Sequence, residues 1–374
     1  MLHEQTSQSH PGSGCPPRAR DSAGHAPTFL GDTFGGAGIV GVVAFFTLSG
    51  YLITGLLASD VRTYGRVRYL RFYKNRAIRL LPALVFALAG FAVVEGLLDL
   101  GGHRAQVLRT VEVALTYTAN VPGLNHGSDD MSHLWTLANE EQFYLVWPIL
   151  ILLAVRFRKE WLTVTIAAAA IVAVLGATIL FTEPLVKIYT WPSTWTIAMV
   201  VGAACQLGRN RLSLVLRGVV ARIGGVVGLV GLVGLSFLPD AKSNPFVYLF
   251  GGAVIAVLTM LVVWWWKDIA VMPAWSRPLV WLGTISYAAY LWNYPIGWWL
   301  RDLGVTDWQA PAILLTVAAA AVSWFAVERP FNRLKNLRTS PADQADVARP
   351  KLRPRAGSAS HHRGTPAIEP DTKR

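Results

Sequence analysis

The strongest constraint on this chain is a set of long stretches with no charged side chain: Trp161 to Phe181, Trp191 to Gly208, Phe246 to Trp266, Leu279 to Leu300 and Ala310 to Val327. Each matches the roughly 17–25 apolar residues that a helix needs to cross a bilayer. Shorter or weaker candidates are Ala37 to Ser59, Leu80 to Val94, Phe143 to Val155 with a polar lip before it, and Ile223 to Leu238, which makes nine in all. Composition agrees: 53% of the chain is hydrophobic and 15% charged, against about 25% charged in an ordinary soluble domain. The expected fold is an all-α, polytopic transmembrane helical bundle.

Basic residues set the orientation, because short cytoplasmic loops hold the excess of Lys and Arg. Assigning alternate loops to one side puts 27 Lys and Arg residues on it, and leaves Arg104, Arg109, Lys187, Lys242 and Arg301 on the other. The 27-residue side is the inside, so a multi-pass protein of the cell membrane with a cytoplasmic C-terminus is expected. The net charge of +12 then reflects topology, and no nucleic-acid partner is implied.

Three regions follow. Residues 1–34 form a polar arm, 35–337 the membrane domain, and 338–374 a basic tail with too few large apolar residues to fold. Residues 103–121 read as an amphipathic helix on the outer face, since a span there would break the charge alternation. Cys15 and Cys205 have no metal or disulfide spacing, and no metal site is expected.

The stretch "SHLWTLANEEQFYLVWP", Ser132 to Pro148, places ionisable groups where an apolar span begins. On a helix His133 and Glu140 share nearly one face, two turns apart, with Glu141 about 100° round. A histidine beside a carboxylate suits proton transfer to or from a hydroxyl. The bland alternative is that Ser132 caps the helix and both glutamates favour its positive end. Taken together at a membrane boundary the cluster favours function, with Glu141 the first acid–base candidate and Glu140 of less weight if it merely faces the helix N-terminus.

The same stretch resembles the HLWSLxxEEQFYLxWP signature of the acyltransferase 3 family of integral membrane O-acyltransferases. Three more segments are similar to that family's motifs, in its order: "GIVGVVAFFTLSGYLITGLL" (Gly38 to Leu57), "FYKNRAIRLLPAL" (Phe72 to Leu84), and "ISYAAYLWNYPIG" (Ile285 to Gly297) with "VERPFNRL" (Val327 to Leu334). The resemblance implies ten spans, an acyl-CoA co-substrate, acetyl-CoA above all, read on the inside, and an acceptor hydroxyl acylated near the outer face. A carbohydrate, a lipid or a macrolide-type antibiotic would serve as acceptor.

Residue by residue, the resemblance implies catalytic roles for His25, His133, Glu140 and Glu141. It implies donor binding by Lys74, Arg76 and Arg79, whose charges suit phosphates, and acceptor binding by Trp135, Tyr290, Trp292 and Asn293. Three positions depart from the family pattern. Its first span, with Arg and then His, has no apolar counterpart here, so an upstream or out-of-frame segment is expected to encode it. Val43 stands for an Asp, and Asn293 for a His. Asn293 can hydrogen-bond but carries no proton.

Two rivals to an enzyme remain on the sequence alone. One is a degenerate relative acting as a scaffold, suggested by Val43, Asn293 and the absent span. The other is a transporter, set lower because ion-coupled transporters place charge inside their spans, whereas the charges here read as lying at the lips.

Overall fold

The computed structural model describes residues 35–267 and 276–337. His25 and both polar arms lie outside them. Among the described residues there is no strand, and all nine expected spans are helical. In chain order the helices are α1 (Ala37–Tyr64), α2 (Tyr69–Val93), α3 (Val107–Leu115), α4 (Trp135–Arg156), α5 (Glu160–Phe181), α6 (Pro192–Leu207), α7 (Arg209–Val215), α8 (Gly218–Ser236), α9 (Gly252–Lys267), α10 (Arg277–Asp302), α11 (Gln309–Ser323) and α12 (Arg329–Leu337).

Six helical segments are long and apolar enough to cross a membrane: α1, α2, α5, α8, α9 and α11, with the turns that extend α2, α9 and α11. The chain is thus an all-α, multi-pass membrane bundle. The remaining three expected spans fall short for local reasons. Helix α6 has only 16 residues, α4 opens with two polar turns, and the apolar run of α10 is broken by Asn293, Tyr294 and Pro295 although the helix is continuous. Helix α3 has nine residues, too few to span, and packs on α2.

The helices form two packed groups. One core is built from α1, α4, α5, α6 and α9, with Phe46, Trp147, Trp195 and Tyr248 buried in it. The other is built from α2, α3, α10 and α11, with Leu84, Phe91, Leu291 and Trp299. Val43 is wholly buried in the first, so at this position the chain has apolar packing.

Inside the first group, α1 and α6 touch backbone to backbone. A methyl group on Gly50 would lie 2.0 Å from the Met199 carbonyl oxygen, and one on Gly202 would lie 2.1 Å from that of Thr47. Small residues permit such approach where apolar burial does not itself drive helices together. The contact fixes the rotation of α1, which turns Ser49 away from α6 and toward α4.

Three helices pass into a wider π turn: α2 at Val94–Leu98, α9 at Val247–Gly251 and α11 at Trp324–Glu328. Two of these carry a buried carboxylate. Glu95 accepts hydrogen bonds from the Gly101 and His103 amides and, at 2.7 Å, from the Trp299 indole. That arrangement ties the 99–103 turn and α10 to the end of α2.

Gly202→Ala is expected to lower the thermal stability of the detergent-purified protein by about 1–3 kcal/mol, the usual cost of overpacking. Gly176→Ala in α5, where a methyl group meets nothing within 4 Å, should leave stability unchanged or raised. Equal unfolding temperatures in the two variants would contradict the backbone contact.

Candidate active site

Where the two groups of helices meet, α2, α4 and α1 each contribute polar side chains. Arg76 of α2 donates from Nε to the Glu141 carboxylate at 2.5 Å and reaches Glu140 through Nη2 at 3.4 Å. Its guanidinium also lies 3.8 Å from the centre of the Tyr144 ring. Glu140 is 3% exposed, and its other oxygen takes the hydroxyls of Ser49 and, at 3.1 Å, Tyr144. Tyr73 locks the neighbouring turn by donating to the Tyr144 carbonyl at 2.8 Å.

A carboxylate in so apolar a setting is costly unless charge and hydrogen bonds compensate it. Both oxygens of Glu140 are provided for. The cluster sets two carboxyl groups and one guanidinium next to the hydroxyls of Ser49 and Tyr144.

The cluster lies deep within the bundle. Tyr73 pairs with Tyr144 and Arg76 with Glu140, so α2 and α4 run antiparallel in this register. Trp135 and Glu140, in the first two turns of α4, are buried, and Ser49 sits near the middle of α1. The separate lips expected for Arg76 and the two glutamates are therefore corrected: these residues meet. Periodicity along one helix gives the face of a residue but says nothing of its depth against a neighbour.

Several individual expectations change with this. Arg76 is engaged by carboxylates and is no open phosphate cradle, whereas Lys74 and Arg79 are exposed and the Arg79 charge acts on Glu328. Ser132 does not cap α4. Ser128 instead caps the preceding 3₁₀ turn, Asp129–Leu134, by accepting from the Asp130 amide at 3.1 Å. Glu140 lies beyond the first turn of α4, so a dipole partnership does not explain it. It is the more buried and more fully hydrogen-bonded of the two glutamates.

The helix face expected to carry both His133 and Glu140 does not form: His133 lies in the 3₁₀ turn before α4, and Glu140 in α4 itself. The imidazole packs between Tyr290 and Tyr294, with ring centres 5.0 and 4.9 Å away. The Tyr290 hydroxyl bonds the His133 carbonyl and the Thr136 hydroxyl, joining the head of α4 to α10. Tyr290 and Asn293 line a cleft of about 370 Å³ between α10 and α11, together with Ser286 and Thr316. The Asn293 carbonyl oxygen and the Thr316 hydroxyl are without a hydrogen-bond partner there.

Trp135 and Trp292 are not brought to that cleft. Trp135 packs edge-on against Phe46 and Tyr189, and Trp292 against Phe86 and the bare backbone of Gly90. Ser49, Tyr144 and Tyr73 are not among the residues the sequence points to. Their signal is weak: a lone hydroxyl in an apolar span commonly bonds its own helix. Among the described residues, no group of His, Cys, Asp and Glu could hold a metal ion.

An acyltransferase domain family matches residues 17–328, a stretch containing α1, α2, α4 and α10 and hence the whole cluster. The chain belongs to this family. Among curated proteins, the O-acetyltransferase OatA of Staphylococcus aureus is 28% identical over 328 residues, covering 79% of this chain and 53% of the relative. A putative peptidoglycan O-acetyltransferase, YrhL of Bacillus subtilis, is 27% identical, covering 78% and 50%. The peptidoglycan O-acetyltransferase OatA of Listeria monocytogenes is 27% identical over 286 residues, covering 69% and 45%. The chain thus spans about half the length of the curated relatives it matches. No solved structure matches it. Because the charges lie within the bundle, their position no longer counts against transport; membership of an acyltransferase family is what favours an enzyme.

Arg76→Ala would leave the buried Glu140 and the partly buried Glu141 without their shared cation, and is expected to cost about 3–5 kcal/mol of stability. Adding Glu141→Gln to that variant should recover part of the loss. Thermal unfolding of the three proteins in one detergent measures this. A loss within about 0.5 kcal/mol, ordinary for a surface change, would contradict the buried pairing.

Proposed function

We propose that this chain is a membrane-embedded O-acyltransferase that moves an acyl group, acetyl foremost, from an acyl-CoA thioester to a sugar hydroxyl of the cell wall or its lipid-linked precursor. The observation that carries the reading is a charge cluster at mid-bundle in a member of an acyltransferase family. Acyl transfer to a hydroxyl needs a base for the hydroxyl proton and a positive or donor group near the developing oxyanion. Glu140 is the base, and Arg76 and Tyr144 supply the positive charge and the donor.

A sugar acceptor is favoured over a lipid or an antibiotic because the relatives carrying a substrate in their names are peptidoglycan O-acetyltransferases. Lys74 and Arg79 hold the phosphates of the donor at the inner face, where the excess of basic residues also sets the C-terminus in the cytoplasm. His25 and His133 assist the acceptor proton. Tyr290 and Asn293 hold acceptor hydroxyls in the cleft between α10 and α11, which offers an unpaired acceptor oxygen for them.

Transfer of labelled acetyl from acetyl-CoA to peptidoglycan fragments by the protein in nanodiscs is the test. Glu140→Gln is expected to lower turnover by about 10²-fold or more, the range for losing a general base, and Glu141→Gln to lower it less. Arg79→Ala should raise the apparent KM for acetyl-CoA at least about tenfold, as loss of a charge-assisted contact of roughly 1.5–3 kcal/mol implies, with kcat little changed. Absence of transfer by the wild-type chain to any sugar acceptor would overturn the assignment, and near-normal turnover by Glu140→Gln would remove the base.

A further inference from the structure

The Ser49 hydroxyl departs from the commonest pattern of hydroxyl residues in these helices. Thr47 bonds back to the Val43 carbonyl, Thr178 to Val174, Thr259 to Ile255 and Ser236 to Leu232, each to the residue four before it in its own helix. That is the ordinary fate of a hydroxyl in an apolar helix. The Ser49 hydroxyl leaves α1 and donates to the Glu140 carboxylate of α4. The α1–α6 backbone contact at Gly50 and Gly202 holds it in that direction.

Two further observations bear on its use. Glu140 is almost completely enclosed, with both oxygens occupied, whereas Ser49 is partly exposed. Of the two, Ser49 is the more open. Ser49 also lies near the middle of a 28-residue helix, roughly equidistant from the faces of a hydrocarbon layer about 30 Å thick. A group placed there can take an acyl unit from one side and release it to the other.

We propose that Ser49 is a nucleophile that carries the acyl group as an ester between donor and acceptor. The inference rests on the acyltransferase reading above and deepens it. In the first half, the Ser49 Oγ–acyl carbon bond forms and the thioester carbon–sulfur bond breaks. The hydroxyl proton passes to Glu140 and from there to the departing thiolate. In the second half, the acceptor oxygen bonds the acyl carbon and the Ser49 ester bond breaks, while the acceptor proton passes through Glu140 back to Ser49. A base beside a hydroxyl, itself oriented by a third group, is the arrangement that activates such nucleophiles; Arg76 is that third group. Tyr144, whose hydroxyl reaches both Ser49 and Glu140, is placed to donate to the oxyanion.

The test uses the full chain in nanodiscs with deuterated acetyl-CoA, first without acceptor, then with peptidoglycan fragments. After an acid quench, peptide mapping by mass spectrometry should find one labelled acetyl group on Ser49 in the absence of acceptor, and its loss when acceptor is added. Ser49→Ala should abolish the label and lower transfer roughly 10³-fold or more, as removal of a nucleophile does. Ser49→Cys should restore a label that neutral hydroxylamine removes, which a purely positioning serine would not do. Wild-type protein that acetylates the acceptor without labelling Ser49, or that is labelled elsewhere, would overturn the relay and leave the acyltransferase reading intact. Wild-type protein that neither labels nor transfers would overturn both.

Discussion

The structure turns on one buried ion cluster. Arg76 lies between Glu140 and Glu141 at the seam of two otherwise apolar groups of helices. Each of these charges would be strongly disfavoured there alone, and together they are tolerable only while the seam stays closed around them. The cluster thus does two jobs with the same atoms. It joins α2 to α4, and it sets the Glu140 carboxyl next to a hydroxyl in a place from which bulk water is largely excluded. Electrostatic effects on a reacting group are strongest in such surroundings.

Depth follows from that pairing. With Arg76 reaching Glu140 and Glu141, the head of α4 lies inside the bundle, and the segment before it, with Leu134 and His133 buried, enters with it. The 3₁₀ turn capped by Ser128 brings His133 down against Tyr290 and Tyr294. The Glu95 carboxylate, gathering amides from the 99–103 turn and the Trp299 indole, anchors the end of α2 to α10. His133, Tyr290 and Asn293 therefore flank the ion cluster along α4 and α10 and stand outside it. The arrangement is one of neighbouring polar sites threaded through an apolar bundle.

Much of this is legible in the sequence, and the remainder is not, for a physical reason. Runs without charge mark the helices, because hydrocarbon admits little else over that length, and all nine expected segments are helical. The motif around Glu140 and Glu141 marks where polar groups cost most. Partnership is a different kind of information. Nothing along the chain says that Arg76 pairs with carboxylates 64 and 65 residues away, because the match depends on how far α4 slides along α2. Hence the glutamates read as residues of a lip, Arg76 as a phosphate ligand, and Glu140 as the lesser of two neighbours. Ser49 is hidden for the same reason, since its difference from Thr47 lies in which helix it bonds. Trp135 and Trp292 look like ligand contacts in a motif yet serve as packing.

The central claim is that Arg76 and Glu140 act as one unit in acyl transfer. A double-mutant cycle tests it most directly: acetyl transfer rates for wild type, Arg76→Leu, Glu140→Leu and the double variant, reconstituted at matched protein levels. Groups that act together give losses far from additive. The account predicts that the double variant is no slower than the slower single variant. Losses that multiply, each substitution acting independently of the other, would contradict it.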